Sequence, residues 1–113
     1  MEIYSDNIGK FILMGVKGST VCLNDYEMFG SYLSSLVEEG REDIVIDLSS
    51  SEFIGTGIIN SIISARNKLR KKGGSIFIVS SNKNILDIFE ILQMNALVPI
   101  YKSIDEFKKT HLD

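Results

Sequence analysis

Thr56 is the side chain best placed to carry chemistry. It stands between Gly55 and Gly57, where the run "DIVIDLSSSEF" of residues 43–53 gives way to "IINSIISARNKLRKK" of residues 58–72. At a strand-to-helix joint, free backbone N–H groups can donate to a side-chain oxygen or to an added phosphate. Phosphorylation there would add roughly two negative charges and a bulky group. An ordinary N-cap hydroxyl fits the same local pattern, and Gly55 and Gly57 favour a tight turn under both readings.

Other reactive groups offer less. Asp47 ends a strand-like run, where α/β proteins often place ligand sites. Such a site wants companion carboxylates, yet Asp25 and Asp43 do not fall at strand C-termini and Asp6 falls in an expected turn. Asp47 is therefore expected to hold the "SSSEF" loop that follows it. Cys22 precedes the first helix, a setting that can activate a thiol, but its neighbours Val21 and Leu23 favour simple packing. His111 lies in the tail "KKTHLD", which is expected to fray. One Cys and one His cannot assemble a metal cluster. "GTG" lacks the longer glycine loop and the Lys of a phosphate cradle.

The elements that must position Thr56 follow from periodicity. Strands are expected at 2–5 and 10–17, around a "DNIG" turn at 6–9. A helix should open at Asn24, with Glu27 three residues on, and stop at Gly40. Tyr26, Phe29, Leu33, Leu36 and Val37 share its inner face. Residues 43–48 have the unbroken Ile/Val character of a strand covered on both sides. A second helix should run over 56–72 to Gly73-Gly74, followed by a strand at 75–80. Asn82 opens a third helix, with Ile85, Leu86, Phe89 and Leu92 as its buried stripe. A short strand at 97–101, disturbed by Pro99, precedes a last helix capped by Ser103 and Glu106 and anchored by Phe107. The alternation predicts one α/β domain over residues 1–113, a mainly helix-covered mixed sheet of about five strands and four helices.

A helix advances about 100° per residue. On the second helix Ile58, Ile59, Ile62, Ile63, Ala65 and Leu69 should therefore face the sheet. Thr56, Asn60, Ser61, Ser64 and Asn67 form an outer ridge without charge. Such a ridge can meet another protein without desolvating ions. Gly55, Thr56, Gly57, Asn60, Ser61 and Ser64 are the expected partner-binding residues. The basic end, Arg66, Arg70, Lys71 and Lys72, fits a solvated helix terminus that offsets the dipole, with contact to an acidic partner as the alternative.

Composition narrows the function classes. Twelve Lys+Arg against 15 Asp+Glu give a net charge of −3, and no aromatic-interleaved basic surface invites nucleic acid. A single Cys makes no internal disulfide. "MEIYSDNIGK" lacks the apolar core of a signal peptide, and no apolar run nears the ~20 residues that span a bilayer. A cytoplasmic location without a membrane partner is expected.

The run "IVIDLSSSEFIGTGIINSIISARNKLRKKGGSIFIVSSNKNI" resembles the central segment of the STAS family, the sulfate-transporter and anti-sigma-factor-antagonist domains. There a strand leads to an Asp-Ser-x-Gly turn, a helix, a Gly-Gly pair and a further strand. "LQMNALVPIYKSIDEF" is similar to the closing segment, and "FILMGVKGS" more weakly to the opening one, so the resemblance spans nearly the whole chain. Within the family the chain looks like the small bacterial anti-sigma factor antagonists. The resemblance implies binding to a kinase-type anti-sigma factor and release on phosphorylation of the turn hydroxyl. Carried over residue by residue, the acidic position falls on Gly55, the hydroxyl on Thr56, the variable position on Gly57 and the glycine on Ile58. The acid that many members carry after the glycine matching Gly18 is absent from "GSTV". The loop over 18–24 would lie beside the ridge. ATP and Mg²⁺ would belong to the partner kinase, and the chain itself needs no cofactor.

Three readings follow. The first is an antagonist switched at Thr56, without catalysis of its own. The second is an interaction module of a signalling assembly with an inert Thr56. The third is a small enzyme or ligand-binding domain using Asp47 or Cys22. Oligomeric state is left open by all three.

Overall fold

The computed structural model describes residues 1–19 and 22–112. Two strands, β1 (Glu2–Ile8) and β2 (Phe11–Lys17), form an antiparallel hairpin that pairs Glu2 with Lys17 and Ile8 with Phe11. The turn is therefore Gly9-Lys10, and the expected turn residues Asp6, Asn7 and Ile8 belong to β1. Gly9 supplies the left-handed backbone that so short a turn needs, at φ +56°.

The chain continues through α1 (Leu23–Glu38), β3 (Asp43–Ser50), α2 (Thr56–Arg70), β4 (Ser75–Val79), α3 (Lys83–Ile91), β5 (Ile100–Tyr101) and α4 (Ile104–His111). One 3₁₀ turn, Met94–Ala96, separates α3 from β5. The strands lie in the order β1-β2-β3-β4-β5, and every pair after the first is parallel. The expected mixed sheet of five strands with four helices is the one observed.

The two sheet faces are covered unequally. Ile12, Met14, Val16, Ile44, Ile46 and Leu48 pack against buried residues of α1, α2 and α3. On the opposite face Phe11, Val45, Phe77 and Val79 meet Phe107 of α4. Period-2 alternation sends successive side chains of β3 to opposite sides. Burial on both sides explains its unbroken apolar run.

Helix ends follow their caps. Both α1 and α2 close in a Schellman motif around a left-handed glycine, Gly40 at φ +88° and Gly73 at φ +80°. The long bonds of those motifs run from Arg41 N–H to Leu36 O at 3.1 Å and from Gly74 N–H to Leu69 O at 2.8 Å. The Asn82 side chain accepts from Ile85 N–H at 3.2 Å, as its cap position predicts. The start of α1 differs from expectation. Cys22, not Asn24, is the N-cap, because the Asp25 carboxylate reaches back to the Cys22 N–H at 3.5 Å.

Two further expectations give way. Leu92 is 48 % exposed rather than part of a buried stripe. The tail is helical to His111, whose ring stacks on Phe107 at 4.6 Å and whose Nε2 lies 2.8 Å from the Tyr101 hydroxyl. Positions 107 and 111 are one helical turn apart, so the helix has two apolar-side anchors where one was counted.

Candidate functional site

Gly55 caps α2, which leaves Thr56 as the first helical residue. Gly55 has no side chain to offer the first turn, and no acidic residue lies in that turn. Thr56 is exposed, and its hydroxyl makes no hydrogen bond among the described residues. The ordinary N-cap explanation therefore does not describe it. An exposed, unpartnered hydroxyl sits at the positive end of a 15-residue helix, a position whose dipole and free N–H groups favour an added anion.

The flanking glycines answer to space, not to backbone angle. Gly55 has φ −90° and ψ 171°, an extended conformation open to any residue. Gly57 is absent from the positive-φ residues of the chain. A Cβ at Gly55 would overlap the phenol oxygen of Tyr26, and one at Gly57 would lie 2.6 Å from both Cγ and Cδ2 of that ring. Tyr26, in the first turn of α1, thus lies across the backbone that carries Thr56.

Two grooves flank this joint. The first is apolar, lined by Phe53, Ile54, Ile59, Ile88, Ile91 and Leu92 together with Gly55 and Thr56. Ile91 is 77 % exposed and Phe53 44 %. Large apolar side chains gathered in the open mark an interaction surface far better than scattered ones do. The second groove runs between α1 and α2. Asn60, Ser61 and Ser64 face Gly30, Ser31 and Ser34 across it, with Glu27 and Lys68 supplying charge. The helices approach closely here, since a Cβ at Gly30 would lie 3.2 Å from Ser61 Oγ, which itself donates to Gly57 O at 3.1 Å.

The expected residues are divided between the two grooves: Gly55 and Thr56 line the apolar one, Asn60, Ser61 and Ser64 line the one between α1 and α2, and Gly57 lines neither. Asn60, Ser61 and Ser64 form one wall of a trough rather than a free face; Gly55 is buried, and Gly57 and Ser61 are half-buried. Of the loop over 18–24, residues 20 and 21 lie outside the described residues. Sequence reasoning missed the apolar groove, although a signal was present. Ile85, Leu86, Ile88, Phe89 and Ile91, with Leu92 at the C-cap, are more large apolar residues than one face of the nine-residue α3 can bury.

The rival sites receive a structural account. Asp47 lies within β3 rather than at its end and is buried; its Oδ1 accepts from the Ser49 N–H at 3.0 Å and the Ser49 hydroxyl at 2.6 Å, so it ties the last residues of the strand rather than the loop beyond it. Ser51 adds bonds from its hydroxyl to Val16 O and Gly18 O. Tyr4 lies over Gly15, with its phenol pKa raised by burial first and then by Asp47 and Asp6. Cys22 is exposed and free. Among the described residues no three His, Cys, Asp or Glu side chains gather where they could hold a metal. Two cations of the basic helix end are engaged internally, Arg66 with Leu97 O at 2.8 Å and Lys72 with Val37 O at 3.4 Å. No described helix is long and apolar enough to cross a membrane.

The model of the STAS domain family matches residues 8–107. Among curated proteins no sequence matches. The fold superposes on an anti-sigma factor antagonist from Mycobacterium paratuberculosis with a TM-score of 0.87, at 18% identity, over 99% of this chain and 94% of that one. An anti-sigma-factor antagonist (STAS) domain protein from Planctomyces limnophilus gives 0.82 at 13% identity, over 96% and 95% of the two chains. The Bacillus cell fate determinant SpoIIAA in its phosphorylated form gives 0.73 at 9% identity, over 97% and 100%.

Proposed function

The chain belongs to the STAS domain family, and from that membership we propose that it is an anti-sigma factor antagonist that binds a kinase-type anti-sigma factor and is released when Thr56 is phosphorylated. One observation carries the reading: the exposed, unpartnered Thr56 hydroxyl at the start of α2, on the wall of an open apolar groove. The partner covers Thr56, the apolar groove and the rim formed by Asn60, Ser61 and Ser64. A phosphate at Thr56 is tolerated within the fold by the helix dipole. Across the interface it meets apolar groups and forces a doubly charged group out of water. The partner supplies ATP and Mg²⁺, and the chain carries out no chemistry of its own. The similarity in fold to antagonists, one of them solved in a phosphorylated form, supports this assignment.

The decisive experiment mixes the protein with the kinase-type anti-sigma factors of its own genome, with and without MgATP. Complex formation without nucleotide turnover, then phosphate on Thr56 by mass spectrometry and dissociation, is the expected result. Stable binding with no phosphate at Thr56 would select the second reading, a docking module without a switch. The glycine at position 55, where the family resemblance puts an acid, is the feature that favours this alternative. Failure to bind any such partner would remove the antagonist assignment.

A further inference from the structure

We infer that Tyr26 is a specificity-determining residue of the Thr56 face, its phenol occupying from α1 the place that a side chain at position 55 would otherwise fill. This rests on the antagonist reading for the identity of the partner, a kinase-type anti-sigma factor.

The steric relation is the starting point. Nothing in the backbone at Gly55 demands glycine, yet any Cβ there would run into the Tyr26 hydroxyl. The same ring closes the space beside Gly57. Tyr26 and the two glycines are therefore one packing unit, and a larger residue at 55 requires a smaller one at 26. The ring is partly buried against the main core, which fixes it without removing it from the surface. Its hydroxyl has no hydrogen-bond partner among the described residues.

Position makes the unit matter for recognition. Gly55 and Thr56 line the apolar groove on one side. Glu27, next to Tyr26 in sequence, lines the trough between α1 and α2 on the other. A partner that covers Thr56 and both grooves must cover Tyr26 as well. Tyrosine suits that role, because it brings a rigid apolar body and one polar group at low entropic cost. Neither Gly55 nor the first turn of α2 places a carboxylate beside Thr56, and Tyr26 supplies a phenol there instead. The partner surface opposite should offer a hydrogen-bonding group to a phenol rather than a cation to a carboxylate.

The test has two arms. In the first, Gly55→Ala is made in the wild-type chain and in a Tyr26→Ala background, and thermal stability is measured without any partner. A large loss of Tm in the first background and a much smaller one in the second is expected; equal losses would overturn the steric assignment. In the second arm, Tyr26→Phe keeps the ring and removes the hydroxyl. Its Tm should match wild type while affinity for the anti-sigma factor falls about three- to tenfold. Unchanged affinity at unchanged Tm would overturn the recognition role. If wild type binds no kinase-type anti-sigma factor, the antagonist reading fails and Tyr26 loses that role with it, while the first arm still decides the packing relation.

Discussion

A threonine that caps a helix and a threonine that waits at a surface differ in one bond, and Thr56 lacks that bond. Its hydroxyl serves no backbone N–H among the described residues, so its removal should cost the fold little. Thr56→Ala is expected to stay within about 0.5 kcal/mol of wild type in urea unfolding. A loss of about 1 kcal/mol or more would reveal a cap after all. Thr56→Glu places a charge at a helix start that has no acid of its own, and should raise stability by about 0.3–1 kcal/mol while weakening partner binding. A fall in both would point to damage rather than switching. Tyr4 gives a separate residue-level expectation. Its pKa is raised from 10.0 by burial and then by Asp47 and Asp6. The folded chain thus holds that proton more tightly than the unfolded chain does. The associated stability is complete below the unfolded pKa of 10.0 and is lost as pH rises through the higher folded value. Tyr4→Phe should flatten the alkaline loss of stability, and superimposable wild-type and variant curves above pH 10 would refute this.

At the scale of elements, the glycine pair after α2 shows what a sequence can and cannot state. "GG" is legible as a helix stop, but the two residues have different duties. Gly73 supplies the left-handed backbone at φ +80° with open space around its Cα. Gly74 is held against the backbone of Glu42, where a Cβ would lie 3.0 Å from the carbonyl carbon. Gly73→Ala should cost about 1–2 kcal/mol, and Gly74→Ala more, because a peptide unit and not a flexible side chain must yield. Equal losses in denaturant titrations would contradict that ordering. The same distinction runs through the molecule. Caps at Asn82 and Ser103 and the strands of apolar Ile and Val were readable, because local spacing determines them. The Tyr26–Gly55 packing was not, since residues distant in sequence meet only after α1 and α2 dock. Thr56, Asn60, Ser61 and Ser64 could be put on one helix side by arithmetic. That Gly30, Ser31 and Ser34 enclose Asn60, Ser61 and Ser64 but not Thr56 depends on where α1 docks. The open groove at Phe53, Ile91 and Leu92 was hidden by the assumption that large apolar residues go inside.

Across the whole molecule, function and cohesion are divided between the two faces of one sheet. The face toward α1, α2 and α3 carries Thr56, Tyr26 and both grooves beyond its buried layer. The other face is closed among the described residues by α4 alone, eight residues long. So short a helix gains little stability from its own hydrogen bonds. Its aromatic contacts must hold it, and they are dense: Phe107 lies 5.0 Å from Phe11, 5.4 Å from Phe77 and 5.4 Å from Tyr101 between ring centroids. Removing the ring by Phe107→Ala should cost about 3–5 kcal/mol, a large part of the stability of an ordinary small protein, about 5–15 kcal/mol. The milder Phe107→Leu should lower Tm and leave the fold intact. Because the sheet separates Phe107 from Thr56, partner affinity measured well below the variant's Tm should match wild type. Ile91→Ser should do the reverse: its side chain is 77 % exposed, so Tm should hardly change while partner affinity falls. Equal effects of the two substitutions on affinity, in calorimetric titrations at matched folded fraction, would show that the faces are coupled and that docking does not reside on the Thr56 side alone.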